Sequence, residues 1–255
     1  FVQWGWLGNP VMDMTCFAII GGADIAIRAM REEKRRQKLK SAFNHYLSPA
    51  MVRELELSKT PPQLGGEQRV LTIMFMDIRG FTALSDQWRN QPDQLTLFIN
   101  SFMDAMSEIV LSHGGTLDKY IGDAIMAFWN APIENKKHRE LAVKSAIQMT
   151  IALAELNVQL QAEGLPQINI GIGINTGDAL VGNMGSEQRF DYSVIGDAVN
   201  LASRLESSSK TLKKTIVIGE DTRHTIETMY SFEYIDSITV KGKTESIKVY
   251  TITSS

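Results

Sequence analysis

Two aspartates interrupt runs of hydrocarbon in this chain of 255 residues. Asp77 follows Ile73-Met74-Phe75-Met76, and Asp123 follows Gly122 between Tyr120-Ile121 and Ala124-Ile125-Met126. A strand buried on both faces is a near-continuous apolar run, so a carboxylate at its end needs a reason. Neighbouring strands lie about 5 Å apart, so two such aspartates on adjacent strands would converge at one sheet edge. Converging carboxylates repel unless a cation sits between them, and hard oxygen donors suit Mg2+ or Mn2+. Either aspartate alone would pass for a turn or cap residue. The pair, each flanked by glycine and a strand, points to a metal.

Two more stretches could contact a phosphorylated ligand. Ile78-Arg79-Gly80-Phe81-Thr82 follows Asp77 directly. Glycine there lets backbone approach a ligand, and amides at a following helix start can receive phosphate oxygens. A plain strand-to-helix turn would read the same way. In DYSVIGDAVNLASRLES, Asn200 and Arg204 lie four apart on an expected helix and share a face. An amide beside a guanidinium suits a ribose and a charged phosphoryl group. The alternative is a surface helix whose Arg204 pairs with Glu206 or Glu220.

The elements that must hold these residues follow from periodicity. Residues 70–78 form a short, strongly apolar run, read as a buried central strand, and 92–112 repeat apolar positions at helical spacing. Residues 114–130 read as two strands joined in a hairpin at Gly122-Asp123, and 137–162 as another helix. Residues 168–182 predict a strand-like run followed by a turn-rich stretch. Residues 197–208 predict a helix with Asp197 as its N-cap. TIVIG, SFEYIDSITV and SIKVYTI supply further strands around a short helix near 220–229. This order implies an α+β sandwich with helices over one sheet face. There is no internal repeat.

Composition adds bounds. With 44% hydrophobic and 22% charged residues, the chain suits one large domain with appendages. A net charge of −3 gives no argument for nucleic acid, so phosphate chemistry must use locally placed cations. The single Cys16 excludes an intrachain disulfide and fits a reducing compartment, and the four histidines lack metal-ligand spacing. The chain begins with Phe1 and not methionine, which reads as a fragment or a processed product. Residues 11–27 are apolar but carry Asp13 and Asp24, a poor spanning helix. The cluster Arg31, Lys34, Arg35, Arg36, Lys38 and Lys40 follows, as on the cytoplasmic side of a membrane segment. Residues 1–27 are therefore expected to be a membrane-proximal remnant or an amphipathic helix. Residues 28–66 are expected to be a signalling helix and linker, and 67–255 the catalytic domain. The helix, over 24–47, has only a patchy seam of Ile25, Ile27, Leu39, Phe43 and Leu47.

The blocks MFMDIRGFTALSD, LDKYIGDAIMAFWNAP and DYSVIGDAVNLASRLES, followed by VKGK at 240–243, resemble the class III nucleotidyl cyclases over residues 67–253. FNHYLSPAMVREL resembles the segment ahead of the catalytic domain in membrane-anchored bacterial members. The resemblance implies a ferredoxin-like βαββαβ-type fold and cyclisation of a nucleoside triphosphate, with two Mg2+ or Mn2+ ions per site. It places Asp77, Ile78 and Asp123 at the metals and Gly80, Phe81, Thr82 and Lys241 against the substrate. Lys119 and Ser193 fall on the base-selecting positions, Asn200 on the ribose-orienting residue and Arg204 on the transition-state arginine. In the family the metal aspartates come from one domain and the other groups from its partner, so the resemblance implies a homodimer. It implies ATP as substrate and a cytoplasmic catalytic domain attached to the cell membrane. Lys119 favours adenine, since guanylate-forming relatives usually carry glutamate there. Ser193 departs from the usual aspartate or threonine, and its hydroxyl both donates and accepts. A guanylate cyclase, or a nucleotide-binding regulatory domain without turnover, are the alternatives.

Overall fold

The computed structural model describes residues 10–43, 63–239 and 246–253. The chain divides into two compact units, Phe1–Leu47 and Ser48–Ser255. The first contains one helix, α1 (Pro10–Phe43). Its residues 22–35 are exposed and carry an i,i+4 ion pair, Asp24 to Arg28 at 2.7 Å, worth little in water. Among the described residues, only the helices Pro92–Ser112 and His138–Ala162 of the second unit reach the length and hydropathy of a membrane span, and both pack on the sheet described next.

The second unit is built on β1 (Gly65–Ile78), α2 (Phe81–Gln87), α3 (Pro92–Ser112), β2 (Thr116–Ile121), β3 (Ala124–Trp129), α4 (His138–Ala162) and β4 (Ile170–Ser186). The strand order β2-β3-β1-β4 with α3 and α4 as the crossovers is the ferredoxin-like arrangement. The sequence then adds β5 (Arg189–Ile195), α5 (Asp197–Thr211), β6 (Ile216–Gly219), α6 (Glu220–Arg223), β7 (Phe232–Thr239) and β8 (Ser246–Ile252). β6 joins β4 in parallel over residues 172–174, while β5 pairs antiparallel with the later half of β4.

Alternation along β1 sorts the core. Met74, Met76 and Ile78 face α3 and α4, meeting Phe102, Met106, Ala146 and Met149. Leu71 and Ile73 face the other way, into Ala198, Val199 and Ala202 of α5. Helices therefore cover both sheet faces, and not one as the element order suggested. α5 can lie there because β4 offers glycines on that side. A Cβ at Gly173 would fall 2.1 Å from the Glu206 amide nitrogen and 2.3 Å from the Ala202 carbonyl oxygen.

The same glycines explain a second difference. The turn-rich stretch expected to follow the strand-like run in 168–182 is instead part of a single 17-residue strand, Ile170–Ser186. Asn-Thr-Gly-Asp is strand here because Asn175 donates to the Ala198 carbonyl at 3.1 Å and Gly177 lets Ala198 approach. The N-cap of α5 is Gly196 and not Asp197, which is the first helical residue. Gly196 adopts a φ of 152°, open to glycine and strained for aspartate. The helix near 220–229 is one turn, Glu220–Arg223. A buried hydroxyl chain runs from Thr222 through Thr176 and Thr72 to His138, with steps of 2.9, 2.8 and 2.7 Å. Burial and the neighbouring Arg139 push His138 down to about 4, so it stays neutral in the core.

Candidate active site

β1 delivers Asp77 to the sheet edge, where it pairs with Gly171 of β4. β3 lies on the other side, with Met76 opposite Ile125, which brings the hairpin tip at Asp123 to the same edge. Gly122 at that tip has a φ of 65°, the left-handed region that glycine enters without strain. The two carboxylates meet. Burial and the charge of Asp77 push Asp123 up to about 6 from its ordinary 3.8. The Asp77 Oδ1 accepts the Ile78 amide at 3.0 Å. The Ile78 side chain is buried, so this residue can offer a metal only its carbonyl.

Among the described residues, no group of three or more His, Cys, Asp or Glu side chains is arranged to hold a metal. Two repelling aspartates with open positions around them still fit Mg2+, which is commonly bound by one or two carboxylates plus substrate phosphates. Asp77 and Asp123 would hold it.

Two neighbours of this pair were not expected as part of the site. Glu206 of α5 is pushed up by burial first and then by the charge of Asp77. Arg79 donates to the Lys214 carbonyl at 2.6 Å and to the Ser209 hydroxyl at 3.2 Å, tying the end of β1 to the far end of α5. Its Nε is buried without a hydrogen-bond partner among the described residues. Gly80 then turns the chain with a φ of 72° into α2, which no side chain caps. The amides of Phe81 and Thr82 open that helix beside Asp77.

α5 divides its side chains. Ala198, Leu201, Ala202, Leu205 and Ser209 are buried, Asn200 is exposed and Arg204 half-buried. An α-helix turns roughly 100° per residue, so Arg204 and Glu206 are roughly 200° apart. Glu206 is the residue α5 turns toward Asp77 and Asp123, and Arg204 faces away from them. Arg204 makes no ion pair with Glu206, Glu220 or any other described residue, so the surface-helix alternative lacks its partner.

Lys119 of β2 and Ser193 of β5 come together although they lie on strands that do not pair with each other. The Lys119 Nζ donates to the Ser193 Oγ at 3.1 Å, and the Ser193 hydroxyl donates to Asp118 Oδ2 at 2.8 Å. The Asp118 side chain is fully buried, and its Oδ1 lies 3.3 Å from the Lys119 ammonium. β2 carries a bulge between Leu117 and Lys119, so Asp118 and Lys119 reach the same neighbour where a regular strand would point them to opposite faces. Lys241 lies outside the described residues.

A family profile described as the adenylate and guanylate cyclase catalytic domain matches residues 66–254. The chain belongs to that family. An adenylate cyclase of Anabaena cylindrica is 39% identical to this cyclase domain over 217 residues, covering 82% of the chain and 41% of the relative. The chain thus spans less than half of that relative's length. The crystal structure of the adenylyl cyclase CyaB from P. aeruginosa is 38% identical and superposes with a TM-score of 0.69, covering 75% of this chain and 97% of that one. The guanylyl cyclase Cya2 is 33% identical, with a TM-score of 0.67 over 74% of this chain and 94% of that one. Relatives of both base preferences share the fold, so base choice in this cyclase domain rests on its own site.

Proposed function

We propose that the protein is an adenylate cyclase that converts ATP to 3′,5′-cyclic AMP and pyrophosphate at two equivalent sites in a homodimer. The observation that carries the reading is the division within one chain. Asp77 and Asp123 converge on one edge, while Arg204 lies about 200° around α5 from Glu206, the residue of that helix that feels their charge, with Asn200 one turn from Arg204. A chain that carries both halves of a site but turns them apart completes the site with a second copy of itself. The metal aspartates of one subunit would then work with Lys119, Ser193, Asn200 and Arg204 of the other, Lys241 contacting the triphosphate.

The reaction is intramolecular attack of the ribose 3′-hydroxyl on the α-phosphorus, with pyrophosphate leaving. Divalent ions, when bound, lower the pKa of the attacking hydroxyl and neutralise charge on the triphosphate. Asp77 and Asp123 fix the edge where that charge gathers. Phe81 and Thr82 offer helix-start amides to phosphate oxygens. Asn200 holds the ribose for in-line attack, an orientation effect. Arg204 stabilises charge growing on the α-phosphoryl oxygens, a role that reaches about 10³-fold in related phosphoryl transfers. The Lys119 ammonium donates to adenine N1 and cannot accept the N1–H of guanine. A second reading, guanylate cyclase, is kept by the likeness to Cya2. Two metals per site, chosen between Mg2+ and Mn2+, complete the proposal. Residues 1–27 with the basic stretch after them would hold the domain at the inner face of the membrane.

The test is incubation of purified protein with ATP or GTP and each metal, followed by product identification. Asp77→Ala and Arg204→Ala should each abolish cyclisation, and mixing the two variants should restore part of it through one intact shared site. No recovery in verified heterodimers would count against the shared site, and no cyclic nucleotide from the parent would count against the activity.

A further inference from the structure

We infer that Asp118 is a specificity-positioning residue: its carboxylate accepts the hydrogen bond of the Ser193 hydroxyl, leaves the Ser193 oxygen as an acceptor toward the base, and so selects ATP over GTP. The inference rests on the cyclase reading above and deepens it. Serine at this position was ambiguous because a free hydroxyl serves an amino group or a carbonyl equally. The geometry removes the ambiguity. Lys119 has only hydrogens to offer, so at 3.1 Å it donates to Ser193 Oγ. The one proton of Ser193 goes to Asp118 Oδ2 at 2.8 Å. What Ser193 keeps for a ligand is a lone pair.

That lone pair suits the 6-amino group of adenine, which donates. It opposes the 6-oxo group of guanine, which brings a second acceptor with no proton between the two oxygens. The carboxylate that other members place at the base-selecting position is here moved one layer back and acts through a serine. Asp118 is held for this by more than one group: its Oδ2 accepts from Ser193, and the ammonium of Lys119 lies 3.3 Å from its Oδ1. Burial raises its carboxyl above the ordinary value, and the Ser193 hydrogen bond and the Lys119 charge only reduce that rise. A fully buried side chain on a strand bulge, tied to both base-selecting residues, has no packing purpose that an apolar residue would not serve better.

The experiment compares kcat/KM for ATP and GTP, and displacement of a fluorescent ATP analogue by each nucleotide, in the wild type, Asp118→Val, Asp118→Asn, Ser193→Ala and the Ser193→Ala/Asp118→Val pair. Valine keeps the shape of aspartate and suits a strand, but leaves the Ser193 proton free to turn toward guanine. The ATP:GTP ratio should fall by about tenfold or more in Asp118→Val, the scale of one mismatched buried hydrogen bond, mainly because GTP improves. Asp118→Asn, whose amide can present oxygen or N–H, should fall by about threefold and decides the matter where valine prevents folding. In the Ser193→Ala background, Asp118→Val should leave the ratio unchanged, since the hydroxyl it acts through is gone. A wild type that uses GTP as readily as ATP overturns the ATP reading and this inference with it. A selective wild type whose ratio survives at Asp118, or falls equally without Ser193, overturns this inference alone.

Discussion

Asp123 holds its proton to about 6 in the folded, metal-free chain, against 3.8 as its ordinary value. An acid whose folded pKa is raised contributes stability that is complete below the unfolded value and is lost as pH rises through the folded one. Between these values the metal-free protein therefore loses stability from this group. His138 acts in the opposite sense: held at about 4 when folded, it lets the unfolded chain take up protons below 6.5 and so lowers stability as pH falls. Asp123→Asn separates the two. At pH 8 without divalent ions it should melt about 2–4 °C above the parent, the response to roughly 1 kcal/mol after discounting for solvent screening. Adding Mg2+ or Mn2+ should stabilise the parent at pH 8, far less at pH 5, and the variant hardly at either. Equal metal responses in parent and variant would remove Asp123 from the metal site. At this scale the sequence was legible where chemistry follows from residue type. Asp77 and Asp123 stood out by residue type, and Lys119 and Ser193 only through the family resemblance, whereas Asp118 did not, because alternation along β2 would have sent it to the opposite face and nothing in LDKYI announces a bulge.

The elements were legible where one period governed. The apolar run of β1, the hairpin tip at Gly122 and the helices over 92–112 and 138–162 all follow from spacing. β4 was hidden, since its glycines read as turn formers when they are contact points for a helix far along the chain. The face occupied by α5 was hidden for the same reason. Gly173→Ala tests that contact. The added methyl meets backbone of α5, and overpacking of this kind typically costs about 1–3 kcal/mol. The expected melting temperature falls by about 2–4 °C for each kcal/mol lost. Because α5 carries Asn200 and Arg204, turnover should fall by about tenfold or more even at temperatures where the variant is fully folded. Undiminished turnover in a folded variant would mean that α5 yields without disturbing the site.

For the whole molecule, the proposed pairing makes the two subunits unequal donors to each site. Co-expressed one to one with the wild type, Asp77→Ala should leave about half of the activity, since each mixed dimer retains one intact site. The Asp77→Ala/Arg204→Ala chain should leave about a quarter, because every mixed dimer then loses both sites. Equal residual activity in the two mixtures, measured at matched subunit levels, would return each site to a single chain. The proposed second copy came from the sequence only through resemblance, since no periodicity shows which way a helix turns its polar flank. Arg204 and Glu206 stand on opposite flanks of α5, one outward and one toward the aspartates. In the proposed pair of chains this one helix would border both centres, Glu206 beside its own subunit's aspartates and Arg204 toward the other's, so a change that shifts α5 should be felt at each of them.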